Sequence, residues 1–358
     1  MTQTITRRAF TAGVGAAVGT GALTALVGCG NGANGGASTS AESQATSTGT
    51  SASAPAAGAG STGSSSAGTL VVGSLSTEDI LPLWVAEDAG LYGDAAGVTA
   101  SVAPFQSAAE LIAGMSSGEL DLAMTDIMVT ASLFAGGIDV KMGWVTLGTE
   151  PDQGRFGIMV GPDSNIQSLT DLAGVPIGVG TNTILEYVMD GLMSAAGVPD
   201  DQIVVEEIQK LPMRYQAMVS GEVAAAALPG SLLALGEAQG CRLIADDTQG
   251  ENLSQSVMIS RADVIARDGK QGLVTALAGV WDQAVDLINA DPERYRDVLV
   301  RGANLPDAVA ETYPICTYPH ATLPTSAMVD PVLAWMEKKG YLARPLTYNE
   351  TTGEFSFA

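Results

Sequence analysis

Thr181-Asn182-Thr183 follow a short apolar run over 177–180 and open a stretch with helical spacing. A strand that runs into a helix at such a tripeptide leaves unbonded backbone N–H groups and the positive end of the helix dipole at the junction. That position suits a carboxylate, sulfonate or phosphate, and equally an amide or ring carbonyl. The same residues also read as plain N-caps. Ser76, Thr77, Glu78 and Asp79 stand at the equivalent end of the first apolar run. They could meet a ligand, or simply cap a helix with an acidic first turn. Asp126 follows the run over 120–124 and could receive a ligand N–H or cation, or cap the helix behind it. Arg214 could clamp an anion through parallel N–H bonds, or pair with Glu186 in the preceding helix. Tyr215, Trp84, Trp144 and Tyr187 could stack on a heterocycle, and each would also suit a core.

Catalysis finds little footing. His320 is the sole histidine and sits in a Pro/Tyr-rich stretch over 312–324. One such residue builds no Ser/His/Asp or Cys/His set, and no Cys/His group has zinc spacing. No cofactor and no enzymatic activity are expected. The formal net charge is −23 at pH 7, and Lys338-Lys339 is the one basic pair in the body. Such a surface offers no phosphate-neutralising patch, so nucleic acid is not an expected partner.

These residues need elements to hold them. The run 70–73, then 98–103 and 120–124, read as strands, with a helix over 107–117 stopped by Gly118. A second series follows: strands over 156–160 and 175–179, a helix over 181–196, a strand over 203–208, a helix over 213–220 and a strand over 223–228. Leu243-Ile244-Ala245 and Val257-Met258-Ile259 are expected to close that series. Strand and helix in alternation predict α/β architecture with parallel sheets. The remainder reads as helical, with Asp291-Pro292 and Asp330-Pro331 each placing a proline at a helix start and Lys338-Lys339-Gly340 ending the last helix.

The amino terminus carries Thr6-Arg7-Arg8-Ala9-Phe10, a weakly apolar run over 12–27, and Leu26-Val27-Gly28-Cys29. The layout is that of a twin-arginine export signal over 1–28 ending in a lipobox, with Cys29 as the lipidated residue. A spanning helix is the poorer reading, because glycines interrupt the run. Gly13, Gly15 and Gly19 follow no strand and are not read as a nucleotide loop. Residues 29–68 are almost all Gly, Ala, Ser and Thr, a flexible tether with a reach of about 35 Å. Cys241 and Cys316 could form a disulfide outside the cell, or stay as two free thiols.

Several segments in order resemble the solute-binding proteins of ABC importers, in the nitrate/taurine/sulfonate and thiamine-pyrimidine-precursor branch. These are Ala86-Glu87-Asp88-Ala89-Gly90-Leu91-Tyr92, Gly118-Glu119-Leu120-Asp121-Leu122-Ala123, Ser168 through Gly174 with Val175-Pro176-Ile177, Leu211-Pro212-Met213-Arg214, and Ser220-Gly221-Glu222-Val223-Ala224. Relatives often read Leu-Pro-Glu-Pro where this chain has Leu228-Pro229-Gly230-Ser231, so a ligand contact from that glutamate is not carried over. A pyrimidine-synthase relative uses a cysteine-rich iron motif that this chain lacks.

The resemblance implies a type II periplasmic-binding-protein-like clamp with two interlobe crossings. Lobe one would be 69–150 plus 263–358, and lobe two 151–262, each a mostly parallel sheet flanked by helices. It implies an extracytoplasmic, lipid-anchored monomer that captures a small sulfonate-, taurine- or pyrimidine-like solute between the lobes. Its partners would be an ABC permease and ATPase. An enzyme on the same scaffold, or a surface sensor, are the alternatives.

Overall fold

The computed structural model describes residues 68–249 and 253–358. The signal, Cys29 and the tether as far as residue 67 lie outside the described residues. The first lobe opens with β1 (Gly68–Leu75), α1 (Leu81–Asp88), β2 (Val98–Phe105), α2 (Ala108–Ser117), β3 (Leu122–Asp126), α3 (Ile127–Ala135) and β4 (Val140–Leu147). The chain crosses and lays down β5 (Phe156–Val160), β6 (Pro176–Val179), α4 (Ile184–Ala195), β7 (Val204–Glu207), α5 (Leu211–Val219), β8 (Ala225–Pro229), α6 (Gly230–Ala238) and β9 (Arg242–Asp246). It returns through β10 (Ser256–Arg261), α7 (Ala262–Arg267), α8 (Gln271–Ala290), α9 (Arg296–Gly302), α10 (Asp307–Ala310) and α11 (Ser326–Lys339). A hairpin of β11 (Leu346–Asn349) and β12 (Glu354–Phe357) follows.

Two five-stranded sheets result, ordered β2-β1-β3-β10-β4 and β7-β6-β8-β5-β9. In the first, β1 is parallel to β2 and β3, while β10 runs antiparallel between β3 and β4. In the second, β6 is parallel to β7 and β8, while β5 runs antiparallel between β8 and β9. The two sheets are therefore topological copies. In each, the antiparallel strand is the first one laid down after a crossing.

The local reasons are ordinary. β3, β5 and β8 are buried at every residue, as expected where helices cover both faces of a sheet. α2 begins at Ser107, whose side chain accepts from the Glu110 N–H, and ends at Gly118 with φ 80°. α8 buries Leu277, Val280, Trp281, Ala284, Val285 and Ile288, one face at helical spacing, against α1 and the first sheet. Each such aliphatic side chain contributes about 1.5–3 kcal/mol of burial.

Three expectations are corrected. Val257–Ile259 do not close the second sheet; they lie in β10 and pair with β3 and β4 of the first. The return crossing therefore precedes Ser256 rather than following residue 262. An apolar run fits either sheet, and only tertiary pairing chooses. Pro331 is not at a helix start: α11 begins five residues earlier, after Thr325, whose side chain makes no cap bond, and carries the proline inside. β4, α6 and the terminal hairpin were not anticipated, because Gly143 interrupts the first and Pro229-Gly230 disguises the start of the second. Cys241 and Cys316 are both free thiols. Among the described residues no helix is long and apolar enough to cross a membrane.

Candidate functional site

β3 ends at Asp126, and this one carboxylate joins the lobes. Its Oδ1 accepts from the Val129 N–H at 2.7 Å, capping α3 in the first lobe. Its Oδ2 accepts from the Ile184 N–H at 3.0 Å, the first residue of α4 in the second. Asp126 is buried, and desolvation raises its pKa from 3.8 to about 6 despite the N–H bonds that favour the charged form. Nearby, the Asn182 side-chain amide donates to Ser132 Oγ at 2.7 Å, and Lys210 pairs with Glu110 at 2.8 Å. Both contacts also run from one lobe to the other.

A cavity of about 70 Å³ lies between the lobes, at the carboxyl ends of the strands. Thr77, Asp79 and Asp126 line it from the first lobe, and Thr183 and Arg214 from the second. Leu75, Met124, Phe156, Ile184, Leu185 and Leu211 supply apolar wall. Each bound water needs roughly 10–15 Å³ of such space, so the closed lobes leave room for only a few waters or a small solute.

The loop expected to receive an anion is partly taken by the chain's own acids. The Thr181 N–H donates to Glu207 at 3.1 Å and the Asn182 N–H to Glu186 at 2.6 Å. Asp126 takes the donor on Ile184. Asn182 adopts φ 56°, a left-handed conformation that asparagine tolerates better than most residues. Thr183 donates its hydroxyl to the Gly180 carbonyl and makes no cap bond.

Arg214 makes no ion pair with Glu186. It is 2% exposed and donates to the carbonyl oxygens of Ile208, Gln209 and Ala227 at 2.8, 3.2 and 3.0 Å. Burial lowers its pKa to about 10, opposed by Glu207. Glu186 is held instead by the Tyr341 hydroxyl and Lys339. The expected charge pair between these two elements is absent, and the last helix and the residue after it supply the partners of Glu186.

Glu78 lies on the seam. The Tyr313 hydroxyl donates to its Oε1 at 2.6 Å, the Tyr318 hydroxyl donates to its carbonyl at 2.8 Å, and its Oε2 has no partner. Desolvation, then the charge of Asp79, raises its pKa to about 7. A Cβ built on Gly230, the first residue of α6, would sit 2.6 Å from the Tyr313 hydroxyl and 2.8 Å from Glu78 Oε1. The glycine thus lets the second lobe close onto this carboxylate. Asp79 Oδ1 accepts from Ser256 Oγ at 2.5 Å.

Other sequence candidates fall elsewhere. Tyr215 is buried in the second lobe and donates to Gln239. Ser76 and Trp84 line a separate small crevice beside Gly302. Trp144 packs on Trp281 within the core, and Tyr187 on Trp335. His320 is exposed and bonds Asp286. A larger open groove of about 770 Å³ runs along α4 and α11, but it is surface crossed by the Lys338–Asp200 and Lys339–Asp190 pairs. Among the described residues no group of His, Cys, Asp and Glu could hold a metal. Ser256, Tyr313 and Tyr318 were missed. The tyrosines stand in the 312–324 stretch that drew notice for His320 alone.

Residues 77–295, more than half of the chain, match the family model described as NMT1/THI5 like. No curated protein sequence matches this chain. Among solved structures, the fold is similar to the alkanesulfonate-binding protein SsuA of Xanthomonas axonopodis pv. citri bound to MOPS, with TM-score 0.63 and 19% identity over 77% of this chain and 94% of that one. It is similar to the periplasmic aliphatic sulphonate binding protein SsuA of Escherichia coli, with TM-score 0.61 and 17% identity over 77% and 89%. It is also similar to the desulfurization enzyme DSZB, with TM-score 0.57 and 16% identity over 77% and 94%. The shared architecture is the two-lobe periplasmic-binding-protein fold.

Proposed function

We propose that this chain, which belongs to the NMT1/THI5-like family, is the extracytoplasmic solute-binding subunit of an ABC importer. It captures a small organic solute between its lobes, without altering it, and hands it to a membrane permease. The observation that carries this reading is Asp126, one carboxylate that caps a helix in each lobe beside a cavity at the strand ends. Closure and occupancy then share the same groups, so a solute that fits shifts the population toward the closed form. Twin arginines and a lipobox support export and a lipid anchor at Cys29, with residues 30–67 as leash.

The test is small-angle scattering and calorimetry of the full chain, with mass spectrometry of whatever co-purifies. The expected result is a compound bound near micromolar affinity, about −8 kcal/mol, that makes the particle more compact. A profile that stays unchanged in a complete metabolite extract would remove this reading. The likeness to DSZB keeps an enzyme as the second reading. His320 is exposed, bonds Asp286 and does not line the cavity, so that reading would have to draw on the cleft carboxylates instead. Turnover of the bound compound would favour it.

A further inference from the structure

We propose that Glu186 is a positioning residue for solute capture: it fixes the Asn182–Thr183 peptide at the cleft, and Lys339 and Tyr341 of the first lobe fix Glu186 in turn. The assignment rests on the solute-binding reading and names the device that couples closure to the shape of the site.

The loop that opens α4 needs such a device. Asn182 sits at φ 56°, a conformation that persists only where its surroundings over-determine it. Its N–H donates to Glu186 Oε2 at 2.6 Å, and its side-chain amide donates to Ser132 Oγ at 2.7 Å. These two bonds hold Asn182 and therefore aim the peptide that follows. That peptide carries the Thr183 N–H, which finds no acceptor among the described residues. Thr183, Ile184 and Leu185 all line the cavity.

Glu186 does more than start a helix. An acid in the first turn is ordinary, and it can do its work in water. This one is 1% exposed, and a buried carboxylate persists only with donors on its oxygens. Apart from the Asn182 N–H, those donors come from the other lobe: the Tyr341 hydroxyl at 2.8 Å and the Lys339 ammonium at 2.8 Å. Lys339 ends α11, which packs on α3, and α3 carries Ser132. Lys339 also reaches Asp190, one turn further along α4, at 2.9 Å, and the Trp335 indole donates to the same carboxylate at 2.9 Å. The first lobe thus grips two acids of α4, and the nearer one holds the solute loop. Withdrawing α11 would leave Glu186 short of donors, so it would turn to water and release the Asn182 N–H. By linkage, a solute that uses the ordered loop favours the docked helix.

The test takes the full chain through three readouts. These are closure by scattering during titration with a complete metabolite extract, amide hydrogen exchange over residues 180–185 without extract, and melting temperature. Glu186→Gln keeps the size of the side chain and removes its charge, and Lys339→Met removes the opposite charge. Each is expected to raise the extract concentration that half-closes the particle by about tenfold or more, and to speed exchange at the loop. Lys339→Arg should restore both readouts. Lys338→Met, the neighbouring cation on α11, loses only an exposed pair with Asp200 and should alter neither. Where Glu186→Gln does not fold, Lys339→Met and Tyr341→Phe carry the test. A lower melting temperature with wild-type closure and wild-type loop exchange would show that Glu186 is merely structural; the assignment is then overturned and the solute-binding reading stands. A wild-type chain that the extract does not close removes the solute-binding reading and the assignment with it.

Discussion

Two buried acids set the behaviour of the cleft with pH. Glu78 rises from its ordinary 4.5 to about 7, and Asp126 from 3.8 to about 6, both chiefly through burial. A carboxyl that holds its proton better folded than unfolded stabilises the fold when protonated. That contribution is complete below the unfolded pKa and is lost as pH rises through the folded one. For these two groups the window runs from about pH 4 to about pH 7, and each is worth up to about 3 kcal/mol. The lowered carboxyls elsewhere, Asp246 beside Arg155 for example, act in the other direction but only at the acid end of the scale. The full chain should therefore melt higher at about pH 5 than at about pH 8. Glu78→Gln, which cannot ionise, should flatten the upper part of that profile; an unchanged profile would show that Glu78 does not titrate there. Asp126→Ala removes the acceptor from two helix starts at once. A lost cap costs about 0.5–2 kcal/mol, and here the second loss falls on the bond between lobes. The expected outcome is a lower melting temperature together with a larger radius of gyration, whereas an ordinary cap would give the first without the second.

Elements hold these residues through backbone that tolerates no side chain. Gly148, with φ 91°, lies in the outgoing crossing, and a Cβ there would strike the Ser254 carbonyl of the returning one. The φ strain alone costs about 1–3 kcal/mol, and the clash adds to it. Gly148→Ala should lower the melting temperature sharply, while Gly90→Ala, where a Cβ meets nothing, should show only the φ cost. Gly230→Ala puts a methyl against Glu78 and Tyr313 and should leave the core stable but the lobes ajar, read as a larger particle with weakened solute binding. The sequence shows why some of this was legible. Strands such as β5 and β8 are continuous apolar runs, and α2 has both its serine start and its glycine stop, so local chemistry alone marks them. Thr77, Asp126 and Thr183 drew attention because they follow strands, where an α/β sheet puts its ligands, and Arg214, inside α5, as a cation able to clamp an anion; all four line the cavity. What local chemistry could not tell was who bonds whom. Glu186 turned from Arg214 to Tyr341, which is 155 residues away in sequence. β10 chose the first sheet over the second, and Tyr313 reached back to Glu78 across 235 residues. Each of these pairings joins segments far apart in sequence and is fixed only when the chain folds back on itself.

At the scale of the molecule, a topologically duplicated pair of sheets explains why two crossings suffice. Each crossing delivers an antiparallel strand into the middle of the next sheet, so each lobe is locked by the segment that enters it. In the proposed closure neither sheet need unravel, and the crossings that touch at Gly148 and Ser254 would be the pivot. In the importer reading such a body must stay near the permease, and the proposed lipid at Cys29 would supply the means. If Cys29 carries lipid, Cys29→Ser should release the protein from the membrane fraction into the medium while the folded body keeps its melting temperature, since the cysteine stands 39 residues ahead of β1 at Gly68. Arg7→Lys with Arg8→Lys should instead hold the chain inside the cell. Fractionation followed by thermal melting separates the cases. Release with an intact melt supports an anchor on a tether. Retention of Cys29→Ser at the membrane would mean that something other than a lipid holds it there, and the importer reading would have to find its anchor in the acidic body itself.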